Sequence, residues 1–355
     1  MKGRSDAGPG AGAGAPALGP LVSIVMPCRN EERHIAAGLD SVLANDFPKD
    51  RLEMFIVDGM SSDRTREIVL GYCARHPFIA LLDNPDRTAG SGLNVGIRRA
   101  TGGIVMRLDA HSQYPPDYIS RCVALLESTG AGNAGGRIVN EPNGDGPWAR
   151  PIARATAHRF GVGGGAFRTS DKPGFVDTVP FGTYRRGIFD EVGLFDERLT
   201  RNQDNEFNAR IIRAGHKIAF DPAIRVTYKN QAALPGLCHQ AYFTGMWNIY
   251  TLRLHPHSFQ WRRFIPAGFV LYLFSLVLSP ALPGGWWALY LLPLAAYAGL
   301  DLRASLDRSF PLAENLRTAA TFLAYHVCYG AGTFHGVANL LTGRWRRHLG
   351  KPLRG

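Results

Sequence analysis

The sequence predicts an α/β fold, an open and mostly parallel sheet with helices, followed by a C-terminal hydrophobic helical membrane region. Three observations predict it. Short runs rich in β-branched residues each end in a polar turn and lead into a helical pattern, which is the repeat of a parallel sheet. Two of those runs deliver a bare aspartate at their ends, Asp58 and Asp109. The acidic residues lie nearly all within residues 21–263, after which the 355-residue chain turns apolar.

The elements follow in order. Residues 1–20 are rich in Gly, Ala and Pro without a continuous apolar stretch, so a disordered tail is expected rather than a secretory signal. Leu21 to Met26 reads as a buried parallel strand, ended by Pro27. Asn30 is positioned to cap the next helix, Glu31 and Glu32 suit its positive N-terminus, and Ile35, Leu39 and Val42 give it an apolar stripe. Leu52 to Val57 is a second strand that runs into Asp58-Gly59-Met60-Ser61-Ser62-Asp63, with a helix expected over Arg64 to His76. Gly103 to Leu108 is a further strand and stops at Asp109. Ligands of open α/β sheets bind at the carboxyl edge of the strands. Two acids brought to that edge from separate strands therefore make a candidate site.

Residues 264–300 contain no charged residue. A helix needs about 20 residues, at about 1.5 Å each, to cross the hydrocarbon core. Residues 264–282 meet that length; 286–300 fall short, and Pro283-Gly284-Gly285 reads as a turn between them. Residues 318–342 are also uncharged, but His326, His335, Asn339 and several glycines interrupt them. Arg262 and Arg263 precede the apolar part, and Arg344, Arg346, Arg347, Lys351 and Arg354 follow it, the pattern of cytoplasmic membrane edges. That rule favours two passes, with the third segment re-entrant or on the membrane surface. The expected division is a tail at 1–20, an α/β domain at 21–255 and a membrane-associated helical region with a basic tail at 256–355.

The net charge of +11 fits this membrane edge. No basic–aromatic repeat or helix-turn-helix pattern favours nucleic acid as a partner. The five cysteines are scattered without a CxxC pair, which points away from a disulfide framework or zinc site and toward a reducing cytosol.

The motifs Val22 to Glu32, Val57 to Thr65, Arg107-Leu-Asp-Ala-His111, Val179 to Arg186, Val192 to Asp196 and Asn202-Gln-Asp-Asn-Glu206 stand in a specific order. In that order, over roughly residues 21–230, the chain resembles the family 2 glycosyltransferases of the GT-A fold, a Rossmann-like nucleotide-sugar-binding domain. With its apolar C-terminal third it looks most like the succinoglycan-type bacterial exopolysaccharide glycosyltransferases.

The resemblance implies a hexosyltransferase at the bacterial cytoplasmic membrane, its catalytic domain facing the cytoplasm. The donor would be a UDP-sugar and the acceptor a lipid-linked saccharide. Pro27, Arg29 and Glu31 would line the base and ribose pocket, with Asp58 on the nucleobase and Gln113 near the nucleotide. Asp109-Ala110-His111 stands where the family carries its Asp-x-Asp metal motif. Asp109 and His111 share one side of an extended segment. An imidazole shifts the expected divalent cation from Mg²⁺ toward Mn²⁺.

Asp204 matches the catalytic base, although the usual Glu-Asp pair is Gln203-Asp204 here. One carboxylate suffices for an inverting transfer, whereas a retaining covalent route needs a second placed nucleophile. Asn202 suits a helix cap, and Glu206 is expected on the helix surface or as a support to the site. Arg185 and Arg186 are candidates for a phosphate or for a solvated helix start. Gln240 to Trp247 lies where processive synthases carry Gln-x-x-Arg-Trp, a pattern absent here, so a single sugar addition is expected. Trp247 is read either as a saccharide platform or as a structural aromatic. The departures at His111 and Gln203 motivate one alternative, a catalytically impaired membrane subunit that binds the sugar nucleotide for a partner.

Overall fold

Apolar strands and amphipathic helices alternate through the first half of the chain, as the periodicity requires. The structure, a computed structural model, describes residues 21–162, 165–281 and 285–350. The expected tail at 1–20, Pro283 and Gly284 of the expected turn, and Lys351 and Arg354 lie outside the described residues.

The strands are β1 (Val22–Cys28), β2 (Leu52–Asp58), β3 (Ile79–Asp83), β4 (Ile104–Arg107), β5 (Ser112–Gln113), β6 (Asn133–Glu141), β7 (Gly174–Val176), β8 (Thr183–Arg185) and β9 (Ile218–Lys229). The helices up to the last strand are α1 (Ile35–Leu43), α2 (Thr65–Arg75), α3 (Ala89–Arg99), α4 (Tyr118–Thr129), α5 (Ala149–Ala157), α6 (Arg159–Val162), α7 (Ala166–Thr169), α8 (Gly187–Val192) and α9 (Gln203–Arg213). Five more follow: α10 (Leu234–Leu254), α11 (Ile265–Ser275), α12 (Trp286–Tyr290), α13 (Leu292–Ser305) and α14 (Leu312–Leu341).

The sheet runs in the order β3-β2-β1-β4-β8-β6-β9-β5, with β7 also paired to β9. The pairs β1/β2, β2/β3, β1/β4 and β6/β9 are parallel; β8 is antiparallel to both its neighbours, β4 and β6. Six strands thus share one direction, and β8 begins where they end. One face is covered by a core that includes Ile24, Met26, Ile35, Met54 and Ile119. The other is covered by Val25, Val57, Leu93, Phe189, Phe207 and Ile211. This two-sided burial explains why the strand sequences are continuous apolar runs rather than alternating ones.

Two expected helix caps take other roles. Asn30 has left-handed backbone and accepts the Ser62 N–H at 2.9 Å, leaving α1 to start at Ile35 without a side-chain cap. Asn202 is likewise left-handed and donates to Asn248 at 2.8 Å instead of capping α9. In each case a long-range partner outcompetes the local one.

Residues 318–341 fall within the 30-residue α14, with Thr342 at its C-cap, packed against α10, α11 and α5. Two of the three polar residues that interrupt this segment face protein, His326 and Asn339. His326 lies within 2.8 Å of the Phe160 carbonyl, and Asn339 donates to the Tyr250 hydroxyl at 2.9 Å. Its glycines allow close helix approach: a Cβ on Gly332 would stand 1.9 Å from the Tyr242 carbonyl oxygen. Among the described residues one segment, Trp261–Leu278, is long and apolar enough to cross a membrane, and little of it is buried.

Candidate active site

Parallel register brings the candidate residues to one edge. Cys28 at the end of β1 lies opposite Asp58 at the end of β2, and Asp58 lies opposite Asp83. β4 ends at Arg107, so Asp109 follows on the same edge. The loop before β8 closes over it: the Arg107 N–H donates to the Gly182 carbonyl at 3.0 Å. A Cβ on Gly182 would collide with the Tyr184 hydroxyl at 2.3 Å, so only glycine fits this crossing. Asn30, Met60, Phe181 and Asn202, all with φ between 49° and 63°, stand in the loops and helix start around this edge. Such backbone is stored where the surrounding structure over-determines it, commonly at functional sites.

Asp58 is wholly buried. It accepts from the Ser61 N–H at 3.1 Å and from Arg66 at 2.8 Å, and Arg66 also holds Asp83 at 2.7 Å. This network shapes the turn after β2. The β1 and β2 loops are tied together, Glu31 N–H to Thr65 Oγ1 at 2.7 Å and Asn30 N–H to Ser61 Oγ at 2.9 Å. Pro27 is half-buried and Arg29 exposed beside them. Gln113 is exposed on β5, opposite Thr227 of β9.

Glu31 reaches across to the metal motif. Its Oε1 lies 3.0 Å from His111 Nδ1. That hydrogen bond raises the His111 pKa from its ordinary value, against the effect of burial. It also leaves Nε2 as the ligand atom, the arrangement in which a carboxylate orients a metal-binding imidazole. Tyr114, buried, receives the Asp109 N–H at 2.7 Å and fixes that backbone. Asp109 and His111 are therefore a pair that could hold a divalent cation at this edge, and one carboxylate with one imidazole suits Mn²⁺ better than Mg²⁺.

Asp204 arrives from the other side. On α9 the residues Phe207 and Ile211 are buried against the sheet. Asp204, three and seven positions earlier on the same face, projects at the helix N-terminus toward the edge, where the helix dipole favours its negative charge. Arg107 joins the two acids: one guanidinium nitrogen donates to Asp204 and the other to Asp109 at 3.1 Å. Burial opposes the Arg107 charge, but Asp109 together with Tyr184 and Tyr114 outweighs it and raises its pKa.

The sequence motif contained Arg107 without giving it a role. The alternation that places Asp109 and His111 on one side also applies to Arg107 and was the available signal. Glu206 is no surface residue. It is wholly buried and held bidentately by Arg210 at 2.6 and 2.8 Å, while Arg210 donates onward to the Val192 and Leu194 carbonyls. Arg185 and Arg186 serve no phosphate here. Because β8 runs antiparallel they lie at the opposite edge, donating to the Ala131, Leu126 and Ala100 carbonyls. Trp247 is wholly buried beside Met246 and Tyr250, a structural aromatic.

Residues 23–193 match the model of glycosyl transferase family 2. The chain carries a family 2 glycosyltransferase domain. The glycosyltransferase is 27% identical over 316 residues to the succinoglycan biosynthesis protein ExoA of Rhizobium meliloti, covering 87% of this chain and 92% of that one. It is 26% identical over 267 residues to a dolichyl N-acetyl-alpha-D-glucosaminyl phosphate 3-beta-D-2,3-diacetamido-2,3-dideoxy-beta-D-glucuronosyltransferase of Methanococcus voltae, covering 73% of this chain and 82% of that one. The mannosyltransferase PcManGT of Pyrobaculum calidifontis, solved with GDP-Man and Mn²⁺, superposes with a TM-score of 0.59 at 20% identity over 89% of each chain. That likeness establishes the GT-A fold of the glycosyltransferase.

Proposed function

We propose that the glycosyltransferase is inverting and non-processive, moving a hexose from a UDP-sugar to a lipid-linked saccharide at the cytoplasmic membrane. The observation that carries this is the pairing of Asp204 with Asp109 through Arg107 at the carboxyl edge of the sheet. The names of the relatives, one in succinoglycan biosynthesis and one acting on a dolichyl-linked sugar phosphate, support a saccharide acceptor carried on a lipid or polymer. Exposed Leu271, Phe274 and Val277 on and after α11 support attachment to a membrane.

In this mechanism Asp204 accepts the proton of the acceptor hydroxyl. The new bond forms between that oxygen and the anomeric carbon while the anomeric carbon–phosphate oxygen bond breaks, its electron pair leaving with the diphosphate. Arg107 keeps Asp204 aimed. A divalent cation held by Asp109 and His111 would take up charge on the departing diphosphate. Pro27, Arg29 and Glu31 line the nucleotide, Asp58 supports their loop, and Gln113 stands beside it.

The test is turnover of a lipid extract by the purified protein with Mn²⁺ or Mg²⁺ and a panel of sugar nucleotides, read by mass spectrometry. Transfer of one hexose with inverted anomeric configuration is expected. Nucleotide-sugar binding without transfer under either metal would instead favour the catalytically impaired subunit.

A further inference from the structure

A cavity of about 560 Å³ lies between the catalytic sheet and the C-terminal helices. Four arginines line it, Arg159, Arg168, Arg262 and Arg263, and among the described residues no aspartate or glutamate does. Its wall includes Asn205, the residue after Asp204, and also Ile265, Pro266 and Phe269 at the start of the apolar α11. It therefore runs from the helix that carries Asp204 to the exposed apolar surface.

Of these arginines Arg262 is paired with Asp177. Arg168 has an amide for a partner, Asn140 at 2.9 Å, and stacks on Phe167. Arg201 lies within electrostatic reach of the same two tyrosines as Arg168, Tyr228 and Tyr325, and its Nε is buried without a hydrogen-bond partner. Burial without a carboxylate pushes the pKa of Arg168 and Arg201 down from the ordinary guanidinium value. Tyr228 stands edge-on to His111 with ring centroids 6.1 Å apart, which brings this cationic group up to the metal motif.

Four guanidinium groups around one cavity, with Asp177 the carboxylate paired to Arg262, leave positive charge that calls for an anion, and their planar donor forks match phosphate oxygens. The apolar continuation along Ile265, Pro266 and Phe269 calls for that phosphate to carry a hydrocarbon chain. We propose that this cavity binds the phosphate-bearing head of a lipid acceptor, with Arg168 and Arg263 on the phosphate oxygens and the hydrocarbon laid along α11. The inference rests on the transferase reading above, in which the acceptor alone must present a hydroxyl next to Asp204.

The test uses the purified full chain in detergent micelles and titration calorimetry with farnesyl diphosphate as the probe, farnesol as the uncharged control, and UDP-glucose or GDP-mannose with Mn²⁺. Farnesyl diphosphate is expected to bind with the nucleotide sugar already bound, and farnesol about tenfold or more weaker. Arg168→Ala and Arg263→Ala are expected to weaken farnesyl diphosphate about tenfold each and to leave nucleotide-sugar binding unchanged. Arg168→Lys and Arg263→Lys, which keep the charge but not the planar donor fork, are expected to weaken farnesyl diphosphate too and serve should either alanine variant fail to fold. Displacement of the nucleotide sugar by farnesyl diphosphate would overturn the proposal. So would variants that weaken the nucleotide sugar and spare farnesyl diphosphate, since the arginines would then serve the donor. Failure of both nucleotide sugars to bind would count against the transferase reading, while the farnesyl diphosphate arm would still report on the cavity.

Discussion

The guanidinium of Arg107 donates to the carboxylate of Asp204, 97 positions away in sequence. Its second nitrogen holds Asp109. One buried cation therefore sets the spacing between the candidate base and the candidate metal ligand.

Replacing Arg107 by lysine keeps the charge but not the planar fork, so one of the two acids loses its partner. Arg107→Lys is expected to lower kcat about 100-fold, because misplacement of a reacting group by about 1 Å has that effect. The protein should keep its circular-dichroism spectrum. Near-normal kcat in that variant would show that the bridge does not position Asp204.

Glu31 orients His111 through Nδ1. Loss of such an outer carboxylate typically weakens metal binding about 10–100-fold. Glu31→Gln should therefore raise the Mn²⁺ concentration for half-maximal activity by that factor. The companion His111→Asp should shift the preference toward Mg²⁺, as an all-oxygen pair favours the harder ion. Metal titrations of both variants check this.

These two relationships show what the sequence could and could not reveal. The parallel strands were legible because Val22–Met26 and Leu52–Val57 are apolar without alternation, which only a sheet covered on both faces tolerates. The edge position of Asp58 and Asp109 followed from where those runs stop. The use of each acid was not legible. Asp58 faces inward because Ser61 and Arg66 reach it, and a strand-end aspartate looks the same in sequence whether it faces in or out. The bridge from Arg107 to Asp204 depends on how α9 docks through Phe207 and Ile211, a tertiary fact with no local signature. The polar residues of α14 read as breaks in a span because their partners, Phe160 and Tyr250, come from distant segments.

Trp247 is a structural residue. Trp247→Ala should cost about 3–5 kcal/mol of stability, measured by denaturant unfolding. Trp247→Phe should retain most of that stability and leave the acceptor KM unchanged. A selective rise in acceptor KM in Trp247→Phe would return the residue to the saccharide site.

Asp196 governs acid stability. Burial alone would raise its pKa, but hydrogen bonds from His255 at 2.6 Å and Arg198 at 2.7 Å outweigh that and hold it below the usual carboxylate range. A carboxylate depressed in the folded state contributes stability that is complete above its unfolded pKa of about 3.9 and is lost as pH falls through the lower folded value. Asp196→Asn should be less stable at neutral pH by about 1.5–3 kcal/mol. It should also lose less stability than the unmodified protein below about pH 4. Urea midpoints measured at several pH values decide this; parallel acid declines for the two proteins would contradict it.

The central claim is that Asp204 takes the acceptor proton. Asp204→Asn removes the base and keeps the shape. The decisive measurement is its single-turnover rate beside its affinity for the nucleotide sugar. The rate should fall about 100- to 10,000-fold, the range for loss of a positioned general base, with donor affinity unchanged. Full turnover in Asp204→Asn would contradict the claim.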